Sequence, residues 1–182
     1  MVMYPGRQTV NDYLAGAEEL TRQELVWGTL VREPAPSYPH QAIVTRAVVL
    51  LDRHVREQRA GLVCVSPLDV VLDADKRLVV QPDVVFVSHD RAKVLRNQMW
   101  GAPDLAVEVE SPGTRRRDRT LKLGWYRQYG VREYWLVDPL AATVTVIVLD
   151  LPDVERHAYR EDEPVRSRVL PEFDEPASAF FE

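Results

Sequence analysis

Pro103-Asp104-Leu105-Ala106-Val107-Glu108-Val109-Glu110 is an apolar run interrupted by carboxylates, and Gln81-Pro82-Asp83-Val84-Val85-Phe86-Val87 is a second. Such runs read as buried strands. An ionised carboxylate in a dry core is costly unless it is paired or holds a cation. Strand side chains alternate between faces, so Asp104, Ala106, Glu108 and Glu110 point one way and Leu105, Val107 and Val109 the other. In the second run Asp83 shares a face with Val85 and Val87. If the two strands are neighbours, Asp83 and Glu108 meet above one sheet. Paired carboxylates with a backbone carbonyl, which Val109 could supply, suit the hard-oxygen preference of magnesium.

The spacing downstream predicts a helix from Arg115 to Tyr129, closed by Gly130. At about 100° per residue, Asp118, Leu121, Lys122, Trp125, Tyr126 and Tyr129 fall on one side, with Arg116, Arg119, Leu123 and Arg127 opposite. Lys122 is thus inward-facing and needs an anionic partner, and Asp118, four residues earlier, is placed to hold it. An amine there can stabilise charge on a transferring phosphoryl group or orient an attacking water. Each residue also has a plainer reading. Asp83 can be a strand-end carboxylate accepting backbone hydrogen bonds, and Lys122 can snorkel beside aromatics or pair only with Asp118. Glu110 is either a further ligand or an acid at a solvated strand end. His40 reads as a capping or packing residue and Glu24 as structural, so both stand only as supporting residues.

Around these segments the chain reads as an ordinary globular protein. Its 182 residues, 46% apolar, suit one domain spanning residues 1–182. The single cysteine, Cys64, excludes an internal disulfide framework, and four scattered histidines give no structural zinc pattern. No signal-peptide pattern occurs, and no apolar run nears the roughly 20 residues of a membrane helix. The expectation is a cytoplasmic protein. A net charge of −5 argues against a general polyanion-binding surface, although Arg115, Arg116, Arg117, Arg119, Lys122 and Arg127 crowd one short segment.

Thr9 is a plausible N-cap for a helix through Leu14. Residues 24–27 and 29–32 flank Gly28 as a hairpin, and Pro34, Pro36 and Pro39 imply a loop before a helix that starts at His40 and ends near Gly61. Residues 62–72 and 78–87 read as two strands joined by a turn over 73–76. Residues 134–137 and 144–149 read as strands, and 154–159 with 165–170 as an edge hairpin. The class is α/β or α+β with a mixed sheet whose central strands are the two acidic ones and that of Trp135.

Pro82-Asp83, Val107-Glu108-Val109-Glu110 and a lysine shortly afterwards resemble the PD-(D/E)XK nuclease superfamily. The longer run Pro103-Asp104-Leu105-Ala106-Val107-Glu108-Val109-Glu110-Ser111-Pro112-Gly113-Thr114-Arg115-Arg116-Arg117-Asp118, then Lys122, Tyr126, Gly130-Val131 and Glu133-Tyr134-Trp135-Leu136-Val137-Asp138-Pro139, resembles the restriction-endonuclease family called Uma-two. Glu24-Leu25-Val26-Trp27-Gly28 and His40-Gln41 resemble its amino-terminal half. The resemblance implies a restriction-endonuclease-like fold and a magnesium-dependent phosphodiesterase site. Asp83 and Glu108 carry over as metal ligands, and Lys122 carries over as the catalytic lysine. The lysine that the superfamily places two residues after Glu108 is replaced here by Glu110, and the helical geometry lets Lys122 reach the same point.

The leading expectation is a DNA endonuclease using Mg2+ or Mn2+, with Arg115, Arg116 and Arg119 contacting phosphates. The alternatives are a nuclease fold that binds or regulates without turnover, and a structural oligomer in which Asp118 and Lys122 form a plain salt bridge. By analogy a homodimer or higher homo-oligomer is expected, with Trp100, Phe180 and Phe181 as interface residues.

Overall fold

The computed structural model describes residues 2–4, 8–16 and 22–182. Strand β1 (Val2–Tyr4) precedes helix α1 (Val10–Leu14). Thr9 starts α1 through a reciprocal capping box: its hydroxyl accepts the Asp12 N–H at 3.1 Å, and the Asp12 carboxylate accepts the Thr9 N–H at 2.9 Å. Strands β2 (Gln23–Val26) and β3 (Thr29–Arg32) form the expected hairpin. Trp27 and Gly28 turn it with φ of 52° and 80°, the left-handed pair that a two-residue type I′ turn demands. Helix α2 (Tyr38–Glu57) begins two residues before His40. Pro39 belongs to its first turn rather than to the loop, because a missing N–H costs nothing there.

The two long strands expected over residues 62–72 and 78–87 are each broken in two. Pro67 separates β4 (Gly61–Val65) from β5 (Val70–Asp73), and Pro82 separates β6 (Leu78–Val80) from β7 (Val84–Ser88). Proline cannot donate to a ladder, so the chain changes sheets at both points. A 3-10 stretch (His89–Val94) and β8 (Met99–Trp100) lead to β9 (Leu105–Val109). The predicted helix follows as α3 (Arg115–Arg117), a π turn (Asp118–Lys122) and α4 (Leu123–Tyr129), ended by Gly130 at φ 86°. Strands β10 (Glu133–Asp138), β11 (Thr143–Val148) and β12 (Glu155–Arg160) complete the order.

The strands build two six-stranded sheets. One runs β12-β11-β10-β9-β7-β4, with β9 and β10 parallel and the other pairs antiparallel. It is the expected mixed central sheet, and the two acidic strands and the Trp135 strand are central in it. The hairpins make the second sheet, β1-β3-β2-β6-β5-β8. On one face of the central sheet, Ile43, Ala47, Leu51 and Val55 of α2 pack with Phe86, Val107 and Trp135. On the other, Val85, Ala106 and Tyr134 meet Trp125 and Tyr126 of α4 and Leu78 and Val80 of the second sheet. The catalytic candidates lie on this second face, between the two sheets.

Residues 165–170 are not a strand, and β12 pairs with β11 instead. Glu133 is the physical reason. Its buried carboxylate accepts from the Ser167 hydroxyl, the Arg168 N–H and the Trp135 indole N–H, each at 2.7 Å, which satisfies the segment as a loop. Val165, Leu170, Phe173 and Phe180 then enter the α2 core. Phe180 is fully buried, its ring 6.1 Å from that of Trp135, and Phe181 and Trp100 are partly buried against core clusters. Of these three interface candidates, Phe180 is thereby committed to the core of its own chain. No helix among the described residues is long and apolar enough to cross a membrane.

Candidate active site

Strand β7 pairs antiparallel with β9 in the register Val84↔Val107, so one step further sets Asp83 opposite Glu108. Both acids are about as buried as the core around them, at 2% exposure. Lys122 comes down on them from the helix and is 1% exposed. Its Nζ lies 2.6 Å from Glu108 Oε1, 3.2 Å from Glu24 Oε1 and 3.7 Å from Asp118 Oδ1. Glu108, rather than the expected Asp118, is therefore the principal partner of the amine. Tyr126 Oη donates a second bond to Glu108 Oε1 at 2.9 Å.

The π turn explains both the inward lysine and one misplaced residue. A turn closed by i→i+5 bonds advances fewer degrees per residue than an α turn. Asp118 and Lys122 consequently stay on the buried face while Leu121, expected beside them, is 53% exposed.

Sequence reasoning missed Arg22 and undervalued Glu24 and His40. Arg22 Nη1 lies 2.6 Å from Asp83 Oδ1, its Nη2 lies 3.3 Å from Glu108 Oε2 and also donates to the Gln81 carbonyl, and its Nε is 3.5 Å from Glu33. Glu24 is fully buried. Its Oε1 accepts the Gln81 N–H at 3.0 Å and faces Lys122, and its carboxylate also pairs with Arg117. His40 neither caps α2, which starts from Ser37, nor serves only as packing: its Nε2 is 3.3 Å from Asp83 Oδ2. An acid inside the apolar strand Glu24-Leu25-Val26 was the same signal that marked Asp83 and Glu108. Val109 reaches the site through its N–H, which donates to Asp83 Oδ2 at 2.7 Å.

Other acids and arginines are committed elsewhere. Glu110 is buried, so it is not an acid at a solvated strand end. It accepts Arg119 in bidentate fashion at 2.5 and 2.8 Å and lies 3.5 Å from Arg115. Arg115 and Arg119 also pair with Asp138 at 2.6 and 3.2 Å. Arg116 is exposed, with no ion pair among the described residues. Asp104 closes the far end of β9, where it accepts the Ser88 N–H at 2.8 Å and meets Arg91 and Arg132.

The site holds Glu24, Glu33, Asp83, Glu108 and Asp118 against Arg22, Arg117 and Lys122. Among these described residues, with each carboxylate, guanidinium and amine charged, the acids outnumber the lysine and arginines by two. Burial does not tolerate such an excess unless protons or a cation relieve it. Burial pushes the Glu108 carboxyl up to about 7. Lys122 and Arg22 oppose the shift, while Asp83 and Asp118 reinforce it. For Asp83 burial acts in the same raising sense, but Arg22, His40 and the Val109 N–H together outweigh it and hold the carboxyl below its usual range. Environments that drive two facing carboxyls apart in this way are typical of functional sites.

A divalent ion of the magnesium type fits this pair. Such ions take one or two carboxylates and retain several waters of their own. The acids outnumber the lysine and arginines among the described residues, and a guanidinium already bridges the two acids. No group of three or more histidine, cysteine or acidic side chains among the described residues forms a ready cage. The fit therefore rests on the Asp83 and Glu108 pair.

A crystal structure titled as a putative nuclease belonging to DUF820 from Anabaena variabilis superposes with a TM-score of 0.80 at 22% identity, covering 96% of this chain and 97% of that one. That likeness establishes the fold. A comparison with curated proteins finds no match. The Uma2 family profile, described as "Putative restriction endonuclease", matches residues 10–178. The chain belongs to the Uma2 family.

Proposed function

We propose that this protein is a divalent-metal-dependent endonuclease acting on DNA. The convergence of Asp83, Glu108 and Lys122 in one buried site carries the reading, and membership of a family described as restriction endonuclease agrees with it. Asp83 and Glu108 would hold Mg2+ or Mn2+, with the Val109 carbonyl as a third protein oxygen. When bound, the ion supplies an activated water and charge stabilisation at the phosphoryl group. Lys122, held by Glu108 and Glu24, keeps a positive charge where the phosphoryl oxygens gain negative charge. Tyr126 fixes the Glu108 carboxylate, and His40 with the Val109 N–H fixes that of Asp83. Arg116 is the best-placed phosphate contact. Arg115 and Arg119 would add to it only in part, because Glu110 and Asp138 offset their charge.

A fold that binds DNA without cutting it is favoured by one observation, the guanidinium lodged between the two acids. Plasmid and single-stranded DNA incubated with Mg2+ or Mn2+ separate the readings. Cleavage by the wild type is expected, with Asp83→Ala and Lys122→Ala each slower by about 10²-fold or more, as when one preorganised charge-stabilising group is removed. Cleavage that survives both substitutions rejects the assignment, and a wild type that binds DNA without cutting it supports the second reading.

A further inference from the structure

We infer that Arg22 is an internal competitor for the divalent-cation position and sets the metal affinity of the site. The inference rests on the metal site proposed above. The oxygens divide cleanly. Glu108 Oε1 is taken by Lys122 and Tyr126, and Asp83 Oδ2 by the Val109 N–H and His40. The two remaining oxygens, Asp83 Oδ1 and Glu108 Oε2, have Arg22 as their partner, at 2.6 and 3.3 Å. A cation held by Asp83 and Glu108 would meet the guanidinium at the same pair of carboxylates, so the two would be alternatives.

The side chain can yield without the strand moving. The Arg22 carbonyl is anchored by the Glu33 N–H at 3.0 Å, and the neighbouring Gln23 carbonyl accepts from Tyr13 Oη at 2.9 Å. The backbone is thus pinned while a long, flexible stem carries the charged fork. Arginine suits this place-holding better than lysine because its planar fork spans two carboxylates at once. Loss of the guanidinium would also enlarge the carboxylate excess of the site, which again favours a cation.

Titration calorimetry with Mn2+ on the full chain tests the inference, using wild type, Arg22→Gln, Arg22→Lys and Asp83→Asn. A binding-competent state that is only partly populated weakens apparent affinity by its fraction, so Arg22→Gln is expected to tighten Mn2+ binding by about tenfold or more. Arg22→Lys, one point charge unable to span both acids, should fall between that variant and the wild type. Asp83→Asn should abolish binding. Arg22→Gln is expected to melt lower than the wild type without metal and to gain more melting temperature from Mn2+. If the wild type binds, Asp83→Asn does not, and Arg22→Gln is unchanged or weaker, the competitor role is overturned while the metal site stands. Absence of binding in both wild type and Arg22→Gln overturns the metal site itself. Should Arg22→Gln fail to fold, Arg22→Lys decides: unchanged or weaker affinity there overturns the inference.

Discussion

Lys122→Met is expected to cost the metal-free protein about 3–5 kcal/mol, the penalty for removing one partner of a buried ion pair. The amine touches carboxylates from three different elements, Glu24 of β2, Glu108 of β9 and Asp118 of the π turn. Methionine fills a similar volume but leaves all three acids without their shared cation, in a site already rich in negative charge. Urea denaturation measures the loss. Adding Glu108→Gln to Lys122→Met should recover part of it, because the principal partner no longer needs a charge beside it. A plain salt bridge between Asp118 and Lys122 leads to a different rescue: Asp118→Asn rather than Glu108→Gln would recover the loss, since only the removal of both partners of a buried pair is close to neutral. Recovery by Asp118→Asn and none by Glu108→Gln would reinstate that simpler reading.

Glu108→Gln is expected to remove cleavage and yet raise stability above neutral pH in the absence of metal. The folded protein holds a proton on Glu108 up to about 7, whereas the unfolded chain releases it near the ordinary value of 4.5. Between those values the folded state binds more protons, so stability falls as pH rises through the window. Asp83 contributes in the other direction. Its lowered carboxyl adds stability above the usual carboxylate range that is lost only in strong acid. Glutamine resembles the protonated acid at every pH and should flatten the slope that Glu108 causes. Burial also raises Glu133, which keeps its own part of the slope in both proteins and so cancels in the comparison. Melting temperatures recorded from about pH 4.5 to about pH 8 should converge at the acid end and separate at the alkaline end, by about 2–4 °C per kcal/mol for a chain of this size. Parallel curves would show that Glu108 does not carry the raised carboxyl.

The parts of this architecture that depend on local pattern were legible in the sequence. Alternation placed Asp83 and Glu108 on one face, helical spacing turned Lys122 inward, and Thr9 and Gly28 marked a cap and a turn correctly. The errors arose where distant partners decide. The strands expected over 62–72 and 78–87 run through Pro67 and Pro82, and only the assembled fold shows that the chain passes into a second sheet at each proline. Residues 165–170 have strand-like composition, yet Glu133, more than thirty residues earlier, takes their polar groups. The π turn displaced Leu121 without any sequence mark. Arg22 was invisible for the same reason. Nothing in its neighbourhood announces that it bridges acids 61 and 86 positions away.

Crystals soaked in Mn2+ and measured for anomalous scattering examine the claim that these acids share a divalent ion. The expected map has a peak about 2.1 Å from an oxygen of each of Asp83 and Glu108, the coordination distance of a small hard cation, with the Arg22 guanidinium displaced from between them. A map with no peak there, and with Arg22 still spanning both carboxylates at saturating Mn2+, would contradict it.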